Sequence, residues 1–279
     1  MTLAFLRRHP LLSFYSIAYG ITWSLGVPLL LSRRGLIAVD VPHLVEPFAA
    51  FGPFIAALIV VAALNGRDGL RSLSRSLLRW RIGGAWLALS FLSTPLLLLL
   101  ALAGASVIGG AEASGSTRLT EIWSLAGLFE LIVVGGLLQS LGEEPGWRGF
   151  AVPALRERFG PLLATLALWP VWLCWHLPFF LSRPAFGWPQ WIGFSIGILS
   201  AAIWLTLLRD RTQSVLACIG WHALANICRN TALAVSTAAF LIYNNLILLS
   251  ALIIAGYWVW SARRSTTDEG SARPPGAKA

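Results

Sequence analysis

Along the chain, long apolar runs alternate with short polar connectors. Eight runs stand out, at about 11–31, 45–64, 85–108, 122–143, 160–181, 189–208, 214–229 and 232–260. Several are near or above the ~18 residues that read as a membrane-crossing helix. The pattern predicts an all-α polytopic membrane protein with about eight transmembrane helices. The first run follows Arg7 and Arg8, but it is longer than a signal-peptide core and no small-x-small cleavage site follows, so it reads as an uncleaved span. The seventh is short and interrupted by polar residues.

Composition removes the main competing reading. A chain of 279 residues could form two soluble domains, but 57% of it is apolar and only 12% charged, with a mean hydropathy of +0.72. A soluble domain carries about a quarter charged residues. The net charge of +9 comes from arginine, Lys278 being the one lysine. In a membrane protein such charge marks cytoplasmic connectors, so no nucleic-acid partner is implied. With the N-terminus inside, the cytoplasmic segments carry Arg7, Arg8, Arg67, Arg71, Arg75, Arg79, Arg81, Arg148, Arg156, Arg158, Arg209, Arg211, Arg263 and Arg264, while the opposite face carries Arg33, Arg34, Arg118, Arg183 and Arg229. Both termini are therefore expected in the cytoplasm of a bacterial cell.

The organisation expected is an N-terminal set of helices over 1–108, a core over 122–230, a last helix over 231–264, and a polar tail over 265–279 whose composition predicts disorder. Within the first part, connector 65–84 spaces arginines at 67, 71, 75 and 79 with leucines between them. It reads as a basic amphipathic helix on the inner leaflet, the alternative being a docking surface for an acidic partner. Cys174, Cys218 and Cys228 lie in apolar runs and are expected to be small core residues.

Ionisable groups inside a bilayer are costly and hence functional candidates. Glu143 and Glu144 end the fourth run with Arg148 one turn on, His176 lies late in the fifth, and His222 and Asn226 share one helix face at i, i+4 in the seventh. One carboxylate, two imidazoles and a carboxamide can activate water and stabilise an oxyanion. Each also has an unremarkable reading: Glu144–Arg148 as an ion pair, His176 as a hydrogen-bonded core residue, His222 and Asn226 as interhelical glue. Glu130 and Arg229 are expected to form a structural pair. Depth is the difficulty: Glu143 ends one run, while His176 is about 24 Å of helix into the next. They meet only if the fourth helix ends deep or if 145–158 re-enters protein-lined membrane.

The sequences Glu143-Glu144-Pro-Gly-Trp-Arg148, Trp172-Leu-Cys-Trp-His176 and His222-Ala-Leu-Ala-Asn226 resemble, in order, the three motifs of the CPBP (ABI) family. That family includes type II CaaX prenyl endopeptidases and bacteriocin-immunity-type proteins. The resemblance covers about 122–230, with Trp172 where the family usually has phenylalanine. It implies an intramembrane endopeptidase in which Glu143 with His176 activates water, His222 and Asn226 form the oxyanion side, and Glu144 with Arg148 gives support. The substrate implied is a peptide or membrane-anchored protein, reached from the cytoplasmic side. No cofactor is assigned. Two histidines and a glutamate are a familiar zinc set, which here would be Glu143, His176 and His222. The metal-free glutamate mechanism is preferred, although the family name says metalloprotease. The alternative is a non-catalytic membrane binding protein of the immunity type.

Overall fold

The computed structural model describes residues 2–42, 44–108, 121–183 and 186–271, with side chains as far as Arg264. All regular structure among them is helical. Six helices are long and apolar enough to cross a membrane: Pro10–Arg33, Val45–Leu77, Gly84–Val107, Leu125–Arg156, Trp188–Thr212 and Thr237–Arg264. The other two expected spans are helices of a different kind. Pro161–Trp175 has only 15 residues. Val215–Val235 has 21, but His222, Asn226, Arg229 and Asn230 dilute its hydropathy.

The largest departure from expectation is the fourth span. It does not end at residue 143 but continues to Arg156, so Glu143 and Glu144 sit well inside a 32-residue helix. No re-entrant loop is needed. Pro145 does not break this helix, because the winding is adjusted around it. Phe129–Leu138 and Trp147–Ala151 are π-wound, with an α-helical stretch Gln139–Gly146 between them. Such wide turns absorb missing backbone hydrogen bonds and recur at functional sites. Arg148, expected in a connector, is fully buried instead.

Close packing of this helix depends on two glycines one turn apart. A Cβ at Gly142 would lie 2.6 Å from the Ala50 carbonyl oxygen, and one at Gly146 would lie 2.5 Å from Pro53 Cβ. Only glycine lets the backbones approach so closely, as in small-xxx-small interfaces. On its other side the helix packs against Val215–Val235, which is backed by Gly84–Val107 and the last helix. The chain turns after Arg156, where Arg156 Nε donates to Asp210 at 2.8 Å. Gly160 and Pro161 then start the next helix, with proline at a position that needs no N–H donor.

Other boundaries also shift. The fifth span breaks at His176, and Leu177–Leu181 forms a separate short helix. Val215–Val235 is unbroken, and the last helix begins at Thr237 after extended backbone at Ser236. That helix is described to Ser271, into the segment expected to be disordered, and 272–279 lie outside the described residues. Cys218 and Cys228 are buried as expected, whereas Cys174 is exposed. Glu130 is exposed, and no ion pair to Arg229 occurs among the described residues.

Candidate active site

Helix lengths now close the depth count. Glu143 lies 13 residues before Arg156 and Trp172 lies 11 residues after Pro161, or roughly 20 and 17 Å from the shared turn. The antiparallel pair therefore brings them level. Trp172 Nε1 donates to Glu143 Oε2 at 2.7 Å. One turn on, His176 faces the same oxygen, with its Nε2 3.9 Å away.

The tautomer of His176 follows from its partner. Nδ1 lies 2.7 Å from the Trp172 carbonyl oxygen, and a carbonyl only accepts, so Nδ1 carries the proton. In the neutral ring Nε2 then presents a lone pair towards Glu143. The ring is held by Trp175 edge-on at 4.7 Å and Phe180 stacked at 5.6 Å.

The backbone that delivers His176 is pinned from an unexpected direction. Tyr19 donates to the Val171 carbonyl, and Trp23 Nε1 donates to that of Trp175 at 3.1 Å. The Trp175 carbonyl lies at the end of the helix where partners run out, because the chain breaks at His176 and Pro178 has no N–H. The N-terminal helix, which carries no diagnostic motif, thus positions a site residue.

Glu144 faces away from Glu143 and makes a separate cluster. Its Oε1 accepts from Arg148 Nη1 at 3.1 Å and from His222 Nδ1 at 2.7 Å. Glu144 and Arg148 are both wholly buried. The guanidinium stacks over the Trp172 ring at 4.1 Å, and the His222 ring meets the same indole edge-on at 5.9 Å. Trp172 therefore joins the two clusters. Asn226, one turn beyond His222, donates one amide hydrogen to the Gly135 carbonyl at 3.2 Å and keeps a second.

Glu143, Glu144, Arg148, Trp172, His176 and His222 are thus linked by direct contacts, whereas the hydrogen bond of Asn226 goes to the Gly135 carbonyl and not to these residues. Two contacts were not legible in the motifs. Trp172 stands where the family usually has phenylalanine, and its indole N–H supplies a donor that phenylalanine lacks. Arg209 Nε also donates to the Arg148 carbonyl at 2.8 Å, anchoring the π-wound turn from a helix outside the three motifs.

A zinc ion would need Glu143, His176 and His222 to share one centre. His176 and His222 each have Nδ1 engaged, as metal-binding histidines do. However, among the described residues no three His, Cys, Asp or Glu side chains gather as a metal-ligand group. As arranged, Glu143, His176 and His222 do not make the tetrahedral zinc set that stood as the alternative to metal-free chemistry.

Residues 125–228, which contain every residue named in the two clusters, match the family described as Type II CAAX prenyl endopeptidase Rce1-like. The chain is also 25% identical over 251 residues to CAAX prenyl protease 2 of Methanococcus maripaludis, covering 86% of each chain. Residues 125–228 are thus similar to the Rce1-like type II CAAX prenyl endopeptidases, and the likeness to a CAAX prenyl protease over most of the chain supports a membrane protease.

Proposed function

We propose that this membrane protease hydrolyses a peptide bond of a membrane-associated or C-terminal peptide, using water held between Glu143 and His176. The observation that carries this reading is their facing geometry. A gap of 3.9 Å is too long for a direct hydrogen bond but fits one water bonded to both groups at about 2.8 Å each. Trp172 fixes one carboxylate oxygen, and His176 Nε2 is free to accept from the water.

The steps use the chain's own groups. Glu143 takes a proton from the water as its oxygen attacks the scissile carbonyl. The tetrahedral oxyanion is met by the second amide hydrogen of Asn226, the type of donor that stabilises such charge. His222 precedes Asn226 by one turn of the same helix. Its Nδ1–H is engaged by Glu144, so its Nε2 donates only in the charged form. When the C–N bond breaks, protonated Glu143 returns its proton to the leaving amine. Glu144 and Arg148 keep His222 and Trp172 in place.

The name of the archaeal relative makes a prenylated CaaX carboxyl terminus the first substrate to try. The direct test is trapping with Glu143→Gln, in which a bound peptide should persist and be identified by mass spectrometry. Failure of this variant to retain any peptide that the wild type cleaves would sink the reading. We further place both termini in the cytoplasm of a bacterial cell, supported by the arginine bias. Tags at Ser74 and Ala279 should then be labelled only from the cytoplasm, and outside labelling of Ser74 would reverse the orientation.

A further inference from the structure

The basic connector has a structural role that its sequence does not reveal. Gly66 takes φ +57°, ψ −140° and breaks the Gly52–Leu77 helix, a conformation that glycine adopts without a Cβ penalty. Beyond the break, Leu73 is buried and Leu70 and Leu77 pack on the core, while Arg67, Arg71 and Arg75 are exposed.

Two contacts tie this segment to different parts of the site. Leu73 reaches Gly149, where a Cβ would lie 2.7 Å from Leu73 Cδ1. Gly149 follows Arg148 on the helix that carries Glu143 and Glu144. At the other end, the Arg79 carbonyl accepts from Ser214 Oγ at 2.6 Å. Ser214 caps the helix that carries His222 and Asn226, accepting from Ala217 N. The segment therefore bridges the two helices whose spacing sets the Glu144–His222 contact.

Its outer side is a groove of about 510 Å³ lined by Leu70, Arg71, Ser74, Arg75 and Leu78. Arg71 and Arg75 are one turn apart, and two guanidinium forks suit a phosphate. The Asp68–Arg71 pair at 3.1 Å is exposed and so contributes little that a phosphate would have to displace. Leu78 and Trp80 are 75% and 59% exposed beside these arginines, a mixture that suits the headgroup–acyl boundary. An acidic polypeptide would meet the charge but leave this apolar rim uncovered.

We propose that the groove binds the phosphate headgroup of an anionic phospholipid, and that the bound lipid stabilises the segment as a brace between the two site-bearing helices. The lipid site rests on the fold alone, and only its bearing on turnover rests on the proposed function.

The test uses purified full-length protein in neutral detergent, with dioctanoyl-phosphatidylglycerol as probe and dioctanoyl-phosphatidylcholine as control. Native mass spectrometry reads lipid retention, and hydrogen exchange reads residues 143–149 and 214–222. Juxtamembrane arginines add enough affinity each that R71Q/R75Q should retain phosphatidylglycerol about 30-fold less tightly, while R71K/R75K keeps most of it. Phosphatidylglycerol should slow exchange in both stretches of the wild type and in neither stretch of R71Q/R75Q. Both arginines are exposed, so the glutamine variant should fold, as an unchanged exchange pattern without lipid would show. Equal retention by wild type and R71Q/R75Q would overturn the site. Retention without slowed exchange would overturn the brace. Equal protection by inorganic phosphate or by polyglutamate would overturn the lipid assignment. Failure of the protease reading would appear instead in the turnover of Glu143→Gln, which none of these readouts measures.

Discussion

Trp172→Phe isolates one hydrogen bond in the site. The substitution keeps an aromatic ring, the residue type usual in the family, and deletes the indole N–H that donates to Glu143 Oε2 at 2.7 Å. A hydrogen bond to a charged group contributes about 1.5–3 kcal/mol. Losing that orientation should slow turnover roughly 10- to 100-fold, with KM little changed, because the bond acts on the base and not on the bound peptide. Trp172 is also buried and carries the Arg148 stack, so stability should fall by about 1–3 kcal/mol. A control separates the two effects. Trp169→Phe removes similar volume and a comparable bond, Trp169 Nε1 to the Ser195 carbonyl at 3.0 Å, without touching the Glu143 carboxylate. The assay is cleavage of a fluorogenic prenylated CaaX peptide at saturating concentration, paired with thermal unfolding. Trp172→Phe should lose turnover that Trp169→Phe keeps. Equal turnover in the two variants would show that the indole does not orient Glu143.

Other consequences follow from the same geometry. Glu144→Gln leaves Arg148 buried without its carboxylate, so it should cost about 3–5 kcal/mol of stability, measured by chemical unfolding; an unchanged midpoint would refute the supporting role. Asn226→Ala should lower kcat about 10²–10³-fold without altering the melting temperature, and a purely structural Asn226 would show the reverse. Activity should survive a membrane-permeable chelator. Stoichiometric zinc that leaves together with activity in His176→Ala and His222→Ala would instead establish a metal mechanism.

The sequence carried the apolar segments plainly, because membrane burial requires uninterrupted runs that solvent-exposed helices lack. It misled where polarity was satisfied internally. Glu143, Glu144, Pro145 and Arg148 look like the end of a span, yet they are buried within one helix, held by pairing and by π-wound turns that no hydropathy count registers. The position of that helix end fixed the depth of the site, so the meeting of Glu143 with His176 could be suspected but not built. The motifs named seven candidate residues, six of which the fold links by direct contacts. They did not reveal that Trp172 is a donor, because that role depends on which carboxylate lies opposite. The Gly142-x-x-x-Gly146 spacing was a readable signal for close packing, although its partner at Ala50–Pro53 was not.

In the mechanism we propose, Glu143, and not Glu144, takes the proton from water. Turnover of Glu143→Gln in the prenylated-peptide assay, on protein shown by thermal unfolding to be folded, tests it most directly. The predicted result is a loss of at least about 100-fold with the unfolding midpoint close to wild type. A folded Glu143→Gln protein that cleaves at the wild-type rate would contradict it.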